Sequence, residues 1–165
     1  AREHNADEQM AYTIAAYHDL GLSIDREFHH IHSGEIIMAD KQLLEWFTEE
    51  QLQIMKEAVE DHRASSKNPP RSIYGAIVAE ADRQIDPETI LRRTLQFGLK
   101  QNPERDFEWH FDRAYSHMLE KYAEGGYMKL WLNSERNVKG LQKLRKIIHN
   151  KEQMRTICER LFKDL

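Results

Sequence analysis

Cysteine is almost absent from this chain, with Cys158 the single instance. One thiol cannot close an internal disulfide, so the fold does not depend on covalent staples, and a reducing compartment suits it. No run of about 18 apolar residues occurs, which excludes a transmembrane helix. The opening AREHNADEQ is polar and acidic. No signal peptide is therefore expected, and the cytoplasm is the expected location. A basic stripe is missing from the first hundred residues, and the net charge is −4. Phosphate neutralisation along a duplex needs clustered Lys and Arg, so nucleic-acid duplex is not an expected partner. The most basic stretch, Lys139 to Lys151, reads as a solvated helix face. Glycine (7) and proline (4) are scarce enough to punctuate the chain rather than permeate it. Strand-like alternation, internal repeats, low-complexity runs and long linkers are missing too.

What remains is helical. The 165 residues are 40% hydrophobic and 32% charged, which fits one globular domain with a real core. Met10, Ile14 and Tyr17 mark the apolar face of a first helix, about Asp7 to His18, with Asp7 or Asn5 as cap. Leu20-Gly21 ends it, with Gly21 as a left-handed terminator. After a polar loop, His29, His30 and His32 open a second helix. Ile36, Ile37, Leu43, Leu44, Trp46 and Phe47 supply its apolar side. Thr48-Glu49-Glu50-Gln51 is a capping box for a third helix that ends near His62. Pro69-Pro70 closes a loop, and a fourth helix of small residues runs from about Ser72 to Ala81. Asp86-Pro87 starts a fifth that ends near Gly98. Pro103 opens another, and two more follow, about Arg136 to His149 and Lys151 to Phe162. The expected fold is all-α, with eight or so helices.

The chemistry-bearing residues gather at helix ends. His18-Asp19 closes the first helix, the histidine cluster opens the second, His62 ends the third, and Asp82 follows the fourth. Imidazole nitrogen and carboxylate oxygen together suit Mn, Fe, Ni, Zn or Mg. Each residue also has a plainer reading. A helix-terminal histidine is favoured by the dipole, and an aspartate after a helix caps a turn. The tryptophans and the Tyr127 to Leu132 stretch fit a core better than a stacking surface. His110, His117 and His149 read as structural or surface groups.

Taken in order, AAYHDLG, HHIHSGEI, VEDHRAS and IVAEADR resemble the HD-domain superfamily of metal-dependent phosphohydrolases. The resemblance covers about Met10 to Ile90. It implies an HD-type helical bundle over residues 1–98, with residues 99–165 as a helical extension packed on the same domain. It implies that His18 and Asp19 are the HD pair and that Asp82 is the distal aspartate. His62 matches the second extra histidine of two-metal members. His29 is favoured for the first, with His30 and His32 as alternatives. The implied cofactor is one or two divalent ions, which Asp19 can bridge. His18 and Asp19 would then be catalytic through the metal. Arg63, Lys67, Arg71 and Arg83 lie beside these positions and are candidates for substrate phosphate, as suits guanidinium and ammonium groups. Asp61 or Glu35 could orient a ligand imidazole.

One family element is out of place. The family carries a further histidine on the helix before the HD pair, and only His4 precedes His18 here. On one continuous helix the two would stand about 21 Å apart, too far to share a metal. The favoured expectation is a segment missing between His4 and Asn5; a shortened or degenerate chain is the alternative. The implied activity is hydrolysis of a small phosphorylated metabolite, a nucleotide first among them. The competing readings are a non-catalytic HD module that binds a ligand or protein partner, and a metal-dependent oxygenase. A homo-oligomer fits any of these.

Overall fold

The computed structural model describes every residue except Lys67, whose expected phosphate contact therefore lies outside the described residues. Among the described residues, eight α-helices and three short 3-10 turns make up the regular structure, and no strand occurs. The contacts divide the chain into two compact units, Ala1–Arg83 and Gln84–Leu165.

In the first unit, α1 spans Glu8–Tyr17, and the Asp7 carboxylate accepts from the Gln9 and Met10 amides to start it. α2 spans His29–Ala39, α3 Glu49–Glu60 and α4 Ile73–Asp82. The Thr48–Gln51 capping box forms in full at the start of α3. Ser72 caps α4 by accepting from the Gly75 amide. Met10 and Ile14 of α1, Ile37 of α2, Leu52, Met55 and Val59 of α3 and Val78 of α4 form one buried cluster. Fully burying a side chain of this size contributes roughly 1.5–3 kcal/mol, and Ile14, Ile37, Met55 and Val59 are all at 0% exposure.

Two details differ from the expected pattern. The second helix stops at Ala39, because the Asp40 carboxylate accepts from the Gln42 amide and opens a 3-10 turn over Lys41–Glu45. Leu43 and Phe47 enter the core from that turn and its exit rather than from a helix face. Gly21 does not adopt a left-handed conformation. It lies in a 3-10 turn, Leu20–Ser23, and a Cβ there would stand 2.1 Å from the His29 carbonyl oxygen. Glycine is required for close approach, and its N–H donates to the buried Ser33 hydroxyl at 2.8 Å. That contact brings the turn after His18-Asp19 against the first turn of α2.

The second unit holds α5 (Pro87–Gln101), α6 (Phe107–Tyr122), α7 (Glu135–His149) and α8 (Lys151–Lys163). Asp86 and Asp106 cap α5 and α6 through the Thr89 and Trp109 amides. Pro103 thus lies in the turn before α6 instead of opening it, and α5 continues past Gly98 to Gln101. The core of this unit is built from Leu91, Leu95, Phe111, Met118, Leu144, Ile148, Met154 and Leu161. The sequence pattern carries the first region to residue 98, whereas the contacts place all of α5 in the second unit.

Candidate metal centre

The site is assembled from four chain segments of the first unit. His18 is the C-terminal cap of α1, and Asp19 follows it. His29 is the first residue of α2. His62 comes directly after Asp61, the C-terminal cap of α3, and Asp82 is the last residue of α4.

Three imidazoles solve the orientation problem in the same way. His18 Nδ1 lies 2.7 Å from the Ala15 carbonyl, His29 Nδ1 2.8 Å from the Arg26 carbonyl, and His62 Nδ1 2.6 Å from the Val59 carbonyl. A carbonyl oxygen only accepts, so each Nδ1 carries the proton and donates it. Each ring therefore leans on the carbonyl three residues before it and turns Nε2 inward. At the ends of α1 and α3 those carbonyls belong to the last helical turn, where acceptors lack helical partners. Helix-terminal placement fixes both rotamer and tautomer, the task that a second group performs for a metal-ligating histidine.

The three Nε2 atoms converge on Asp19, whose two oxygens divide them. Oδ1 stands 3.5 Å from His29 Nε2 and 3.6 Å from His62 Nε2. Oδ2 stands 3.4 Å from His18 Nε2, which is itself 3.8 Å from Asp82 Oδ1. His29 Nε2 and His62 Nε2 are 3.3 Å apart. With both Nδ1 protons committed, two neutral rings at that distance face one another lone pair to lone pair. A cation between them converts repulsion into attraction. Donors that share one metal at about 2.1 Å stand roughly 3–3.5 Å apart, so the spacing suits a common ion. His18, Asp19 and His62 together form a group close enough to hold a metal. The donor set fits a divalent ion.

Burial and charge bias the site. His62 is buried at 3% exposure, and desolvation lowers its pKa, favouring the neutral ring that binds metal. The approach of Asp82 raises His18 to about 9. At 3.8 Å that contact is one of charge rather than a hydrogen bond. Asp82 is held below the usual carboxylate range by the same partner. Asp19 and Asp82 keep 47% and 49% of their side chains exposed, so solvent reaches the cluster.

The remaining candidates fall elsewhere. His30 Nδ1 is buried without a hydrogen-bond partner among the described residues, and burial, followed by the charge of Arg63, lowers His30 to about 4. His32 pairs with Glu35 at 3.0 Å, so Glu35 serves that ring and none of the three at the cluster. Asp61 accepts from the Arg71 backbone and guanidinium and orients no imidazole. Arg71 also reaches Glu60 and the Glu57 carbonyl, so its donors tie the loop back to α3. Arg63 Nη1 donates to the Glu27 carbonyl at 2.7 Å. Arg83 is buried at 5% exposure, with Nε and Nη1 unpartnered among the described residues. His4 sits in an exposed 3-10 turn, Arg2–His4, closed by Asn5 in a left-handed conformation. It is separate from α1 and from the cluster. The orienting carbonyls of Ala15, Arg26 and Val59 were not anticipated, although the placement of each histidine at a helix end was the signal for them.

A bundle of short helices that delivers histidines and aspartates from their ends to one half-open point is a metal-binding architecture. A profile of the HD domain family matches residues 1–84, about half of the chain and all four contributing segments. The chain belongs to the HD domain family. No curated protein and no solved structure matches it.

Proposed function

We propose that this protein is a metal-dependent phosphohydrolase acting on a small phosphorylated metabolite, with a nucleotide as the leading class. The observation that carries the reading is the division of donors around Asp19. His29 and His62 lie on one oxygen, and His18, with Asp82 beyond it, on the other. Two such half-sites sharing one carboxylate suit a pair of divalent ions, from among Mn, Fe, Ni, Mg and Zn. When bound, such ions supply Lewis acidity and lower the pKa of water so that it attacks phosphorus near neutral pH.

The residues of the chain do the rest. Ala15, Arg26 and Val59 hold the three imidazoles, so the donor atoms are placed before any ion arrives. His62 is buried at 3% exposure, so its side of the cluster is shielded from water. The exposed edges of Asp19 and Asp82 leave the other side open to substrate. Arg63 and Arg71 spend donors on the protein itself, so the charge of a phosphate is met mainly at the metal centre. Arg83 adds positive charge next to Asp82.

The position of His4 outside the cluster favours a second reading, a non-catalytic HD module that binds a ligand or a protein partner. One screen separates the two. Purified protein is supplied with each of the five metals and assayed for phosphate release from nucleotides and sugar phosphates, beside Asp19→Ala and Asp82→Ala. Metal-dependent release lost in both variants supports the hydrolase. Release that persists in the variants, or no release with metal bound, removes it in favour of the module.

A further inference from the structure

Arg63 directly follows His62, and its side chain runs back across the chain to the segment before α2. Its Nη1 donates to the Glu27 carbonyl at 2.7 Å, a link between residues 36 apart in sequence. The carbonyl next to that one, on Arg26, is the acceptor that orients His29. The ring of His62, next to Arg63, is oriented in turn by Val59. The two histidines that share Asp19 Oδ1 therefore come from segments joined by one guanidinium.

The need for a strap follows from the local structure. Residues 24–28 carry only a few backbone hydrogen bonds, including that of the Phe28 amide to the Asp25 carboxylate at 2.7 Å. Phe28, the N-terminal cap position of α2, makes no side-chain cap. Ile24 and Phe28 are both more than half exposed, so apolar packing does not hold this segment down. Without the Arg63 contact, the Arg26 carbonyl would lose its fixed position and the His29 ring its rotamer. His18 leans on Ala15 within the last turn of α1 and does not depend on this loop.

We infer that Arg63 is a positioning residue that couples His29 to His62 and so sets the affinity of one half of the metal centre, rather than a contact for substrate phosphate. This rests on the two-ion reading above. The length of the side chain and its terminal donor matter because one nitrogen must reach a backbone carbonyl across a gap between segments. Lysine can place one donor there, and alanine none.

The test is a Mn²⁺ titration of the chelator-treated full chain, with bound ions counted by equilibrium dialysis and elemental mass spectrometry. Wild type, Arg63→Ala and Arg63→Lys are compared, and thermal unfolding is followed in parallel. Wild type takes up two ions. Arg63→Ala binds one ion as wild type does and the other about 10-fold more weakly, the low end of the cost of losing an outer-shell partner, since Arg63 acts through the neighbouring carbonyl. Arg63→Lys recovers most of that loss. Two ions bound by Arg63→Ala with unchanged affinities overturn the inference alone. So does an equal weakening of both, since that reports general destabilisation. A wild type that takes up fewer than two ions overturns the two-ion reading, and this inference with it.

Discussion

Three imidazoles of the first unit and one of the second are treated in opposite ways. In the first, His18, His29 and His62 each commit Nδ1 to a backbone carbonyl and aim Nε2 at a shared carboxylate. In the second, His110 is buried at 0% exposure with neither ring nitrogen partnered among the described residues. It packs against the rings of Trp109 and Phe162, at centroid distances of 5.1 and 5.7 Å. Gly98 approaches so closely that a Cβ there would meet His110 Nδ1 at 2.8 Å. One environment prepares nitrogen lone pairs for a cation, while the other buries a polar ring among apolar neighbours. Burial by itself therefore does not separate the two arrangements. Convergence of oriented nitrogens on a carboxylate does.

The sharpest way to break the contrast is to remove a carboxylate from each unit. Asp19→Ala is expected to abolish metal content and any metal-dependent hydrolysis. Asp112→Ala, which loses an exposed ion pair to Lys151, is expected to leave both unchanged. Elemental analysis and phosphate release read the two outcomes. Equal effects would dissolve the distinction between the units.

A smaller effect is expected from adding a methyl group where the first unit is tightest. In Gly21→Ala the new Cβ collides with the His29 carbonyl and must push α2 away. Overpacking of this kind costs about 1–3 kcal/mol, and denaturant unfolding should show that loss together with weaker metal binding. A variant as stable as wild type would mean that the turn and α2 are not so closely apposed.

His110→Leu should move stability the other way. It removes a buried polar group without a hydrogen-bond partner among the described residues and keeps most of the volume, so a gain on the order of 1 kcal/mol is expected, with metal content unaffected. A clear loss of stability would show that His110 makes a hydrogen bond, for instance to an ordered water.

The smallest effect concerns pH. Burial, with help from the charges of Lys121 and Arg113, lowers the pKa of His117 below its ordinary 6.5. The unfolded chain therefore binds this proton first as pH falls. The contribution of neutral His117 is fully present above about pH 6.5 and is lost as pH drops towards the lower folded pKa. The stability difference between wild type and His117→Gln should shrink across that window. A difference that is flat with pH would contradict the sign.

Much of this was legible in the chain, and the parts that were not share a cause. Asp7, Thr48, Ser72 and Asp86 announce helix starts because capping is local chemistry. The residues expected at the metal centre, His18, Asp19, His29, His62 and Asp82, are brought together, since each sits where a helix begins or ends. Gly21 was misread because a glycine after a helix usually signals a left-handed cap, whereas here the constraint comes from α2. Arg63 and Arg71 were expected to meet substrate phosphate beside the site, yet both donate to the protein itself. Whether such a side chain faces solvent or folds back on a carbonyl depends on where a distant loop lies, as with Glu27. The boundary between the units is equally non-local.

On the proposed reading, Asp19 bridges a metal centre built from helix ends. Anomalous scattering from crystals of the Mn²⁺-loaded protein tests it most directly. Two peaks are expected, one beside each Asp19 oxygen, the first contacted by His29 and His62 and the second by His18 and Asp82. Loaded crystals with no peak within bonding distance of Asp19 would contradict it.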